Sequence, residues 1–216
     1  MKKSREKIEK KMLFIGAFLL AVFVLWTVAV AFLDVRPIGP LGSEVGFAAM
    51  NGFVHALTGV RFTLYVITDL LGLIPIFVAL SFAGWGLLQW IRRKRLLCVD
   101  RGILALGVFY IAVIAVYLFF EAVVINSRPV LIEGRLEASY PSSTTVLAAC
   151  VIPAALQLCP RIKSARFRRF VWFSSVFFVA FMVILRFLSG VHWASDIIGG
   201  LLLSAGLVAI YSAFCK

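Results

Sequence analysis

Six stretches of the chain are each apolar over many consecutive residues: 12–33, 66–91, 102–125, 142–158, 170–187 and 195–214. A helix needs about 20 apolar residues to cross the hydrocarbon core of a bilayer. Inside that core only structures that satisfy their own backbone hydrogen bonds persist. The pattern therefore predicts an all-α protein, a six-transmembrane-helix bundle. The fourth and fifth stretches are short, which limits tilt and puts their ends near the interface. Composition agrees: 62% of residues are hydrophobic and the mean hydropathy is +1.03, against about 45–50% apolar residues in soluble domains. No internal repeat or low-complexity tract divides the chain, so 1–216 reads as one integral-membrane domain.

The first run follows the basic tail MKKSREKIEKK and contains Ala29-Val30-Ala31, which resembles a secretory signal. Its uncharged stretch from Met12 to Leu33 is 22 residues long, whereas the apolar region of a signal peptide has about 7–15. A retained anchor helix is expected. Between spans one and two lies RPIGPLGSEVGFAAMNGFVHALTGVR, rich in Gly and Pro and only moderately apolar. It is too short for a span with two turns, so an interfacial or re-entrant helix over about 43–58 is expected.

A net charge of +12 would suit nucleic acid if it formed one basic face on a soluble fold. Here it is split into short clusters between apolar runs, and no nucleic-acid partner is implied. The N-terminal tail, 92–101, 161–169 and Lys216 carry 17 of the 22 basic residues. In a six-span chain these segments share one side, which the positive-inside rule assigns to the cytoplasm. Both termini are then cytoplasmic, in what reads as a bacterial plasma membrane, and 34–65, 126–141 and 186–194 face outward. Cys98, Cys150, Cys159 and Cys215 lack metal-ligand spacing and read as buried free thiols.

The outward side keeps Arg36, Arg61, Arg128, Arg135 and Arg186. Charges at a membrane edge are costly unless paired or functional. Arg128 follows span three, Arg186 ends span five, and GVHWASD opens span six. His192 and Asp196 stand four apart, so on a helix they share a face, and Asp196 can hold one imidazole nitrogen while the other stays free. Two guanidiniums nearby would grip a phosphate. Pro141-Ser142-Ser143-Thr144 opens span four with hydroxyls and unpaired N–H groups, a ready anion site. Singly, each piece has a plainer reading: a helix cap, an ordinary N-terminal signal, a snorkelling arginine. Their joint presence on one side favours a phosphate site. His55, in the intervening segment, reads as a structural or surface residue.

At these residues the chain resembles the integral-membrane type 2 phosphatidic-acid phosphatases, whose motifs are Lys-x6-Arg-Pro, Pro-Ser-Gly-His and Ser-Arg-x5-His-x3-Asp. LRFLSGVHWASD matches the third at Arg186, His192 and Asp196, with Leu185 in place of serine. EAVVINSRP matches the first at Arg128-Pro129, with Glu121 in place of lysine. PSST matches the second at Ser142, with Thr144 in place of histidine. The resemblance implies that His192, oriented by Asp196, attacks phosphorus. Arg128, Arg186, Ser142 and the backbone N–H groups of the Ser142–Thr144 turn then cradle the phosphoryl oxygens. It implies a lipid phosphate or diphosphate substrate in the bilayer, and neither metal nor other cofactor.

Glu121 would weaken phosphate binding unless it pairs with Arg128 or Arg135, which is the expectation here. Thr144 removes the usual proton donor to the leaving oxygen, a loss of about 10²–10⁴ in rate for an alkoxide. A phosphate leaving group needs that proton less, so a polyprenyl diphosphate such as undecaprenyl diphosphate is favoured. Glu137 and Tyr140 are close enough in sequence to serve as substitute donors. Phospholipid monoesters (phosphatidylglycerophosphate or phosphatidic acid) are the alternative substrates. A non-catalytic lipid-phosphate binder is the alternative class, and a transporter fits less well without repeats or mid-membrane charges.

Overall fold

The computed structural model describes residues 2–215. Eight α-helices run in order: α1 (Lys2–Phe32), α2 (Ala48–Thr58), α3 (Phe62–Leu71), α4 (Leu73–Arg93), α5 (Arg101–Ala122), α6 (Ser143–Leu156), α7 (Ala165–Leu188) and α8 (Ala194–Phe214). Their limits follow local chemistry. The Asp100 side chain accepts from Gly102 N at 2.9 Å and starts α5, and Ser164 caps α7 through Phe167 N. Pro75 has no N–H for the carbonyl of Leu71, so the second apolar run breaks at Gly72 into α3 and α4.

Among the described residues five helical segments are long and apolar enough to cross a membrane: Glu6–Phe32, Phe62–Arg93, Arg101–Ala122, Ala165–Leu188 and Ala194–Phe214. The run expected at 142–158 forms α6, of 14 residues. At 1.5 Å per residue α6 is about 21 Å long, short of a core about 30 Å thick. Within the segment 43–58 the helix formed is α2, from Ala48 to Thr58.

α8 is the centre of the bundle. Over half of its most apolar window, 56%, is buried, against 11–22% for the other long segments. α1 lies along it, and the backbones approach closely where side chains are small. A Cβ on Gly16 would stand 2.5 Å from Ile210 Cγ1, and one on Gly206 would stand 2.7 Å from Leu20 Cδ2. Phe23, Phe120 and Tyr140 form an aromatic cluster above this contact, with Phe23 and Phe120 edge to face at 5.8 Å. Large apolar side chains such as Trp85, Ile111, Phe173 and Phe177 are exposed around the bundle, an apolar girdle that lipid covers and water would not.

One end of the bundle gathers the C-termini of α1, α5 and α7 with the N-termini of α3, α6 and α8. Trp26 Nε1 donates to Ser195 O at 3.1 Å, Arg61 N to Ser189 O at 2.9 Å and Ser142 N to Asp196 O at 3.1 Å. A hairpin between α5 and α6 folds over this end through bridges Ser127–Ala138 and Ile132–Arg135. Its turn residues Glu133 and Gly134 both have positive φ, +49° and +76°, as a two-residue type I′ turn requires. At the other end Cys98 is exposed and Cys159 and Cys215 are half-buried; only Cys150 is the buried thiol expected of all four. Loop and helix-end positions explain the difference.

Candidate active site

His192 sits in the turn joining α7 to α8. Gly190, with φ +67°, makes that turn, and a Cβ there would lie 1.9 Å from Gly59 O. α8 begins only at Ala194, so the helical geometry expected of His192 and Asp196 does not hold. Their approach is 3.8 Å, from Nδ1 to Oδ2, and Ser139 of the hairpin comes between them. Nδ1 lies 3.0 Å from Ser139 Oγ and 3.1 Å from Ser139 O. Ser139 Oγ donates to Asp196 Oδ2 at 2.5 Å.

Asp196 is fully buried and ties three segments together. Trp193 N donates to its Oδ2 at 2.9 Å, Asn126 Nδ2 to its Oδ1 at 3.3 Å, and Ser195 Oγ stands 3.4 Å from Oδ1. Asn51 extends the network from α2, accepting from Ser195 N at 3.1 Å and donating to Ser195 Oγ at 2.9 Å. Asn126 Oδ1 in turn accepts from Gly46 N at 3.0 Å.

Nε2 of His192 has no hydrogen-bond partner among the described residues. Its ring lines a cavity of about 550 Å³ shared with Arg128, Glu137, Ser139, Ser143 and Thr144. Burial, with Arg186 and Arg128 close by, pushes the His192 pKa down to about 4 against the pull of Asp196. The imidazole is therefore neutral at pH 7, with a nitrogen available to attack.

Two guanidiniums flank it. Arg186, in the last turn of α7, is 1% exposed. It donates to Thr68 Oγ1 at 3.0 Å and stacks over Tyr65 with its carbon 5.0 Å from the ring centroid. Arg128, on the hairpin, forms an ion pair with Glu137, Nε to Oε2 at 3.1 Å. That contact misses hydrogen-bond geometry, so Nε and Nη1 of Arg128, like Nε of Arg186, lack a hydrogen-bond partner among the described residues. Buried cationic donors left open are costly in a folded protein, and such donors suit an anion.

The remaining expected residues divide. Ser143 and Thr144 line the cavity as the first residues of α6, where N–H groups have no intrahelical acceptor. Ser142 does not join them. Its N–H is taken by Asp196 O and its Oγ accepts from Thr145 Oγ1 at 3.0 Å, so it fastens α6 to α8 instead of cradling an oxyanion. Glu121 lines the cavity, yet among the described residues no ion pair joins it to Arg128 or Arg135. The hairpin register sets Glu137 across from Arg128 (Arg128 N to Glu137 O, 3.0 Å), and Glu137 takes that role. Tyr140 is no substitute acid: its hydroxyl is shared with Thr27 Oγ1 at 2.7 Å, its ring is packed by Phe23 and Phe120, and burial raises its pKa. Leu185 precedes Arg186 in α7. His55 packs its ring on Trp193 at 5.3 Å, supporting the turn.

Ser139, Asn126, Asn51, Thr68 and Tyr65 were invisible to motif reading. The sole signal was that Asn51 and Asn126 are amides amid apolar residues. Among the described residues no group of three or more His, Cys, Asp or Glu side chains is arranged to hold a metal.

The all-helical fold has a solved counterpart. The chain is similar to the crystal structure of a transmembrane PAP2-type phosphatidylglycerolphosphate phosphatase from Bacillus subtilis, with a TM-score of 0.63 over 93% of this chain and 94% of that one at 16% identity. No family model and no curated protein sequence matches the chain.

Proposed function

We propose that this chain is a lipid phosphatase of the membrane whose nucleophile is His192. The observation that carries the reading is a set of buried, unpartnered nitrogens: His192 Nε2 and Arg128 Nε and Nη1 on residues that line one cavity, with Arg186 Nε on a guanidinium close enough to act on His192. A phosphoryl group supplies what all of them lack. The apolar part of the cavity wall, Ile76, Val113, Ile114, Phe120, Leu147 and Leu203, suits the lipid tail behind it.

In the first step the Nε2 lone pair forms a bond to phosphorus, and the bond from phosphorus to the leaving oxygen breaks with its electron pair going to that oxygen. Arg128, Arg186 and the N–H groups at the start of α6 stabilise the three equatorial oxygens, so catalysis rests on positioning and charge. In the second step water attacks phosphorus, the P–N bond returns its pair to Nε2, and the proton leaves with the phosphate or solvent.

Thr144 stands where the family's acid would be, so a leaving group that departs as phosphate is favoured. A polyprenyl diphosphate such as undecaprenyl diphosphate is the proposed substrate. The phosphatidylglycerolphosphate phosphatase of like fold supports the second reading, a phospholipid monoester. We assign the six helical runs as six spans, with α6 completed by its flanking turns and α2 at the interface. The cavity end then faces outward and the basic loops face the cytoplasm.

The test is phosphate release from polyprenyl diphosphate, phosphatidic acid and phosphatidylglycerophosphate by purified wild type, His192→Ala and Thr144→His. Preference for the diphosphate, loss of at least about 10³-fold in H192A and a gain on monoesters in T144H are expected. Equal or reversed rates would reject the diphosphate; no release from any lipid, with binding intact, would leave a lipid-phosphate binder.

A further inference from the structure

We propose that Ser139 is the positioning residue that sets the His192 tautomer and couples the imidazole to Asp196. The inference rests on the reading of His192 as nucleophile for its kinetic consequence, though not for its structural one.

The reasoning is an inventory of protons. Ser139 Oγ and Asp196 Oδ2 are 2.5 Å apart, and two oxygens that close need a proton between them. Asp196 Oδ2 also accepts from Trp193 N and Oδ1 faces Asn126 Nδ2, so donors surround the carboxylate and the serine supplies the shared proton. A hydroxyl has one proton. With it committed to Asp196, Ser139 Oγ offers only lone pairs to His192 Nδ1 at 3.0 Å. The other neighbour of Nδ1, Ser139 O at 3.1 Å, is also an acceptor. Both atoms within hydrogen-bond reach of Nδ1 being acceptors, the ring carries its proton on Nδ1 and its lone pair on Nε2, the nitrogen that faces the cavity without a partner.

Asp196, at 3.8 Å, is too far to do this directly. It acts through the serine. When Nε2 bonds to phosphorus the ring becomes cationic, and Nδ1–H then binds its serine acceptors more strongly while the carboxylate polarises Oγ from behind. Backbone geometry keeps Ser139 in place, since Ser139 N donates to Asn126 O at 2.8 Å within the hairpin. Asn126 also holds the carboxylate. The segment between α5 and α6 thus brings Ser139 and Asn126 to His192 and Asp196 at the start of α8.

Two measurements test this. The chain has 2 histidines, so ¹⁵N spectra of histidine-labelled protein in lipid nanodiscs, with His55→Gln for assignment, read the tautomer directly. A protonated Nδ1 and an unprotonated Nε2 are expected at pH 7; the opposite tautomer overturns the proposal whatever the activity. Kinetically, Ser139→Ala should lower kcat about 10- to 100-fold, as loss of one hydrogen bond to a charged group does, and leave KM within about twofold. Ser139→Thr should restore most of the loss. In a double-mutant cycle Asp196→Asn should add little to S139A, because the same path is already cut. Additive losses, or an S139A enzyme with wild-type kcat, overturn the coupling. If D196N does not fold, the tautomer and the S139A and S139T rates still decide. Wild-type protein that releases no phosphate from any lipid phosphate would reject the proposed function and leave the spectrum to judge Ser139.

Discussion

If Arg128 holds the phosphoryl group as proposed, Glu137 competes with that group for it, and removing its charge should tighten binding. Its carboxylate lies 3.1 Å from Arg128 Nε, with side-chain exposures of 40% for Glu137 and 11% for Arg128. Two unit charges about 4 Å apart attract by about 4 kcal/mol at an effective dielectric of about 20. Glu137 is more than a third exposed, so solvent screening brings the net worth to the order of 1 kcal/mol. In Glu137→Gln a phosphoryl group no longer has to displace that contact, and at 1.4 kcal/mol per tenfold the gain is about fivefold. The backbone bond from Arg128 N to residue 137 O survives the substitution, so the hairpin register is unchanged. The assay is inhibition of lipid-phosphate hydrolysis by inorganic phosphate and by orthovanadate, with KI for E137Q expected about fivefold lower. An unchanged or higher KI would refute the competition, and would mean that Glu137 serves to hold Arg128 in position.

Acid should destabilise the protein in a defined window. The unfolded chain protonates His192 near its usual 6.5, and the folded protein only near 4. Between these values the unfolded state binds more protons, so stability present above about 6.5 is lost as pH falls toward about 4. The thermal midpoint measured against pH should show that decline, reduced in His192→Gln. The acid limb of kcat/KM should fall near 4 and not near 6.5. Gly190→Ala should disrupt the turn that presents His192, since the residue combines φ +67° with a Cβ position 1.9 Å from Gly59 O. A stability loss of about 1–3 kcal/mol is expected, with kcat falling alongside; a variant as stable and active as wild type would contradict the turn geometry.

The helical bundle was legible because its signals are local. Apolar run lengths mark the helices, although the second run, read as one span, is divided at Gly72 into α3 and α4. Arg128, Arg186, His192 and Asp196 were legible as a group from their joint place on one side of the membrane and from the motif resemblance, and the fold gathers them at one end of the bundle. Ser142 and Glu121 were misread for a common reason. Motif spacing says that a residue is near a site but not which way it faces, and Ser142 turns toward Asp196 O and Thr145 while Arg128 takes Glu137 as its partner.

The lengths of the apolar runs already dictate a helical membrane protein, since the bilayer leaves the backbone few other choices. The proton path of the site is another matter. Ser139 reaches His192 and Asp196 across 53 and 57 positions of chain, through a hairpin whose register depends on the turn at Glu133-Gly134. Which acceptor meets Nδ1 at 3.0–3.1 Å, and which carboxylate meets Arg128 at 3.1 Å, follow from the hairpin register and from how the hairpin lies against the turn before α8. No local preference encodes such distances; packing of the hairpin against the start of α8 does.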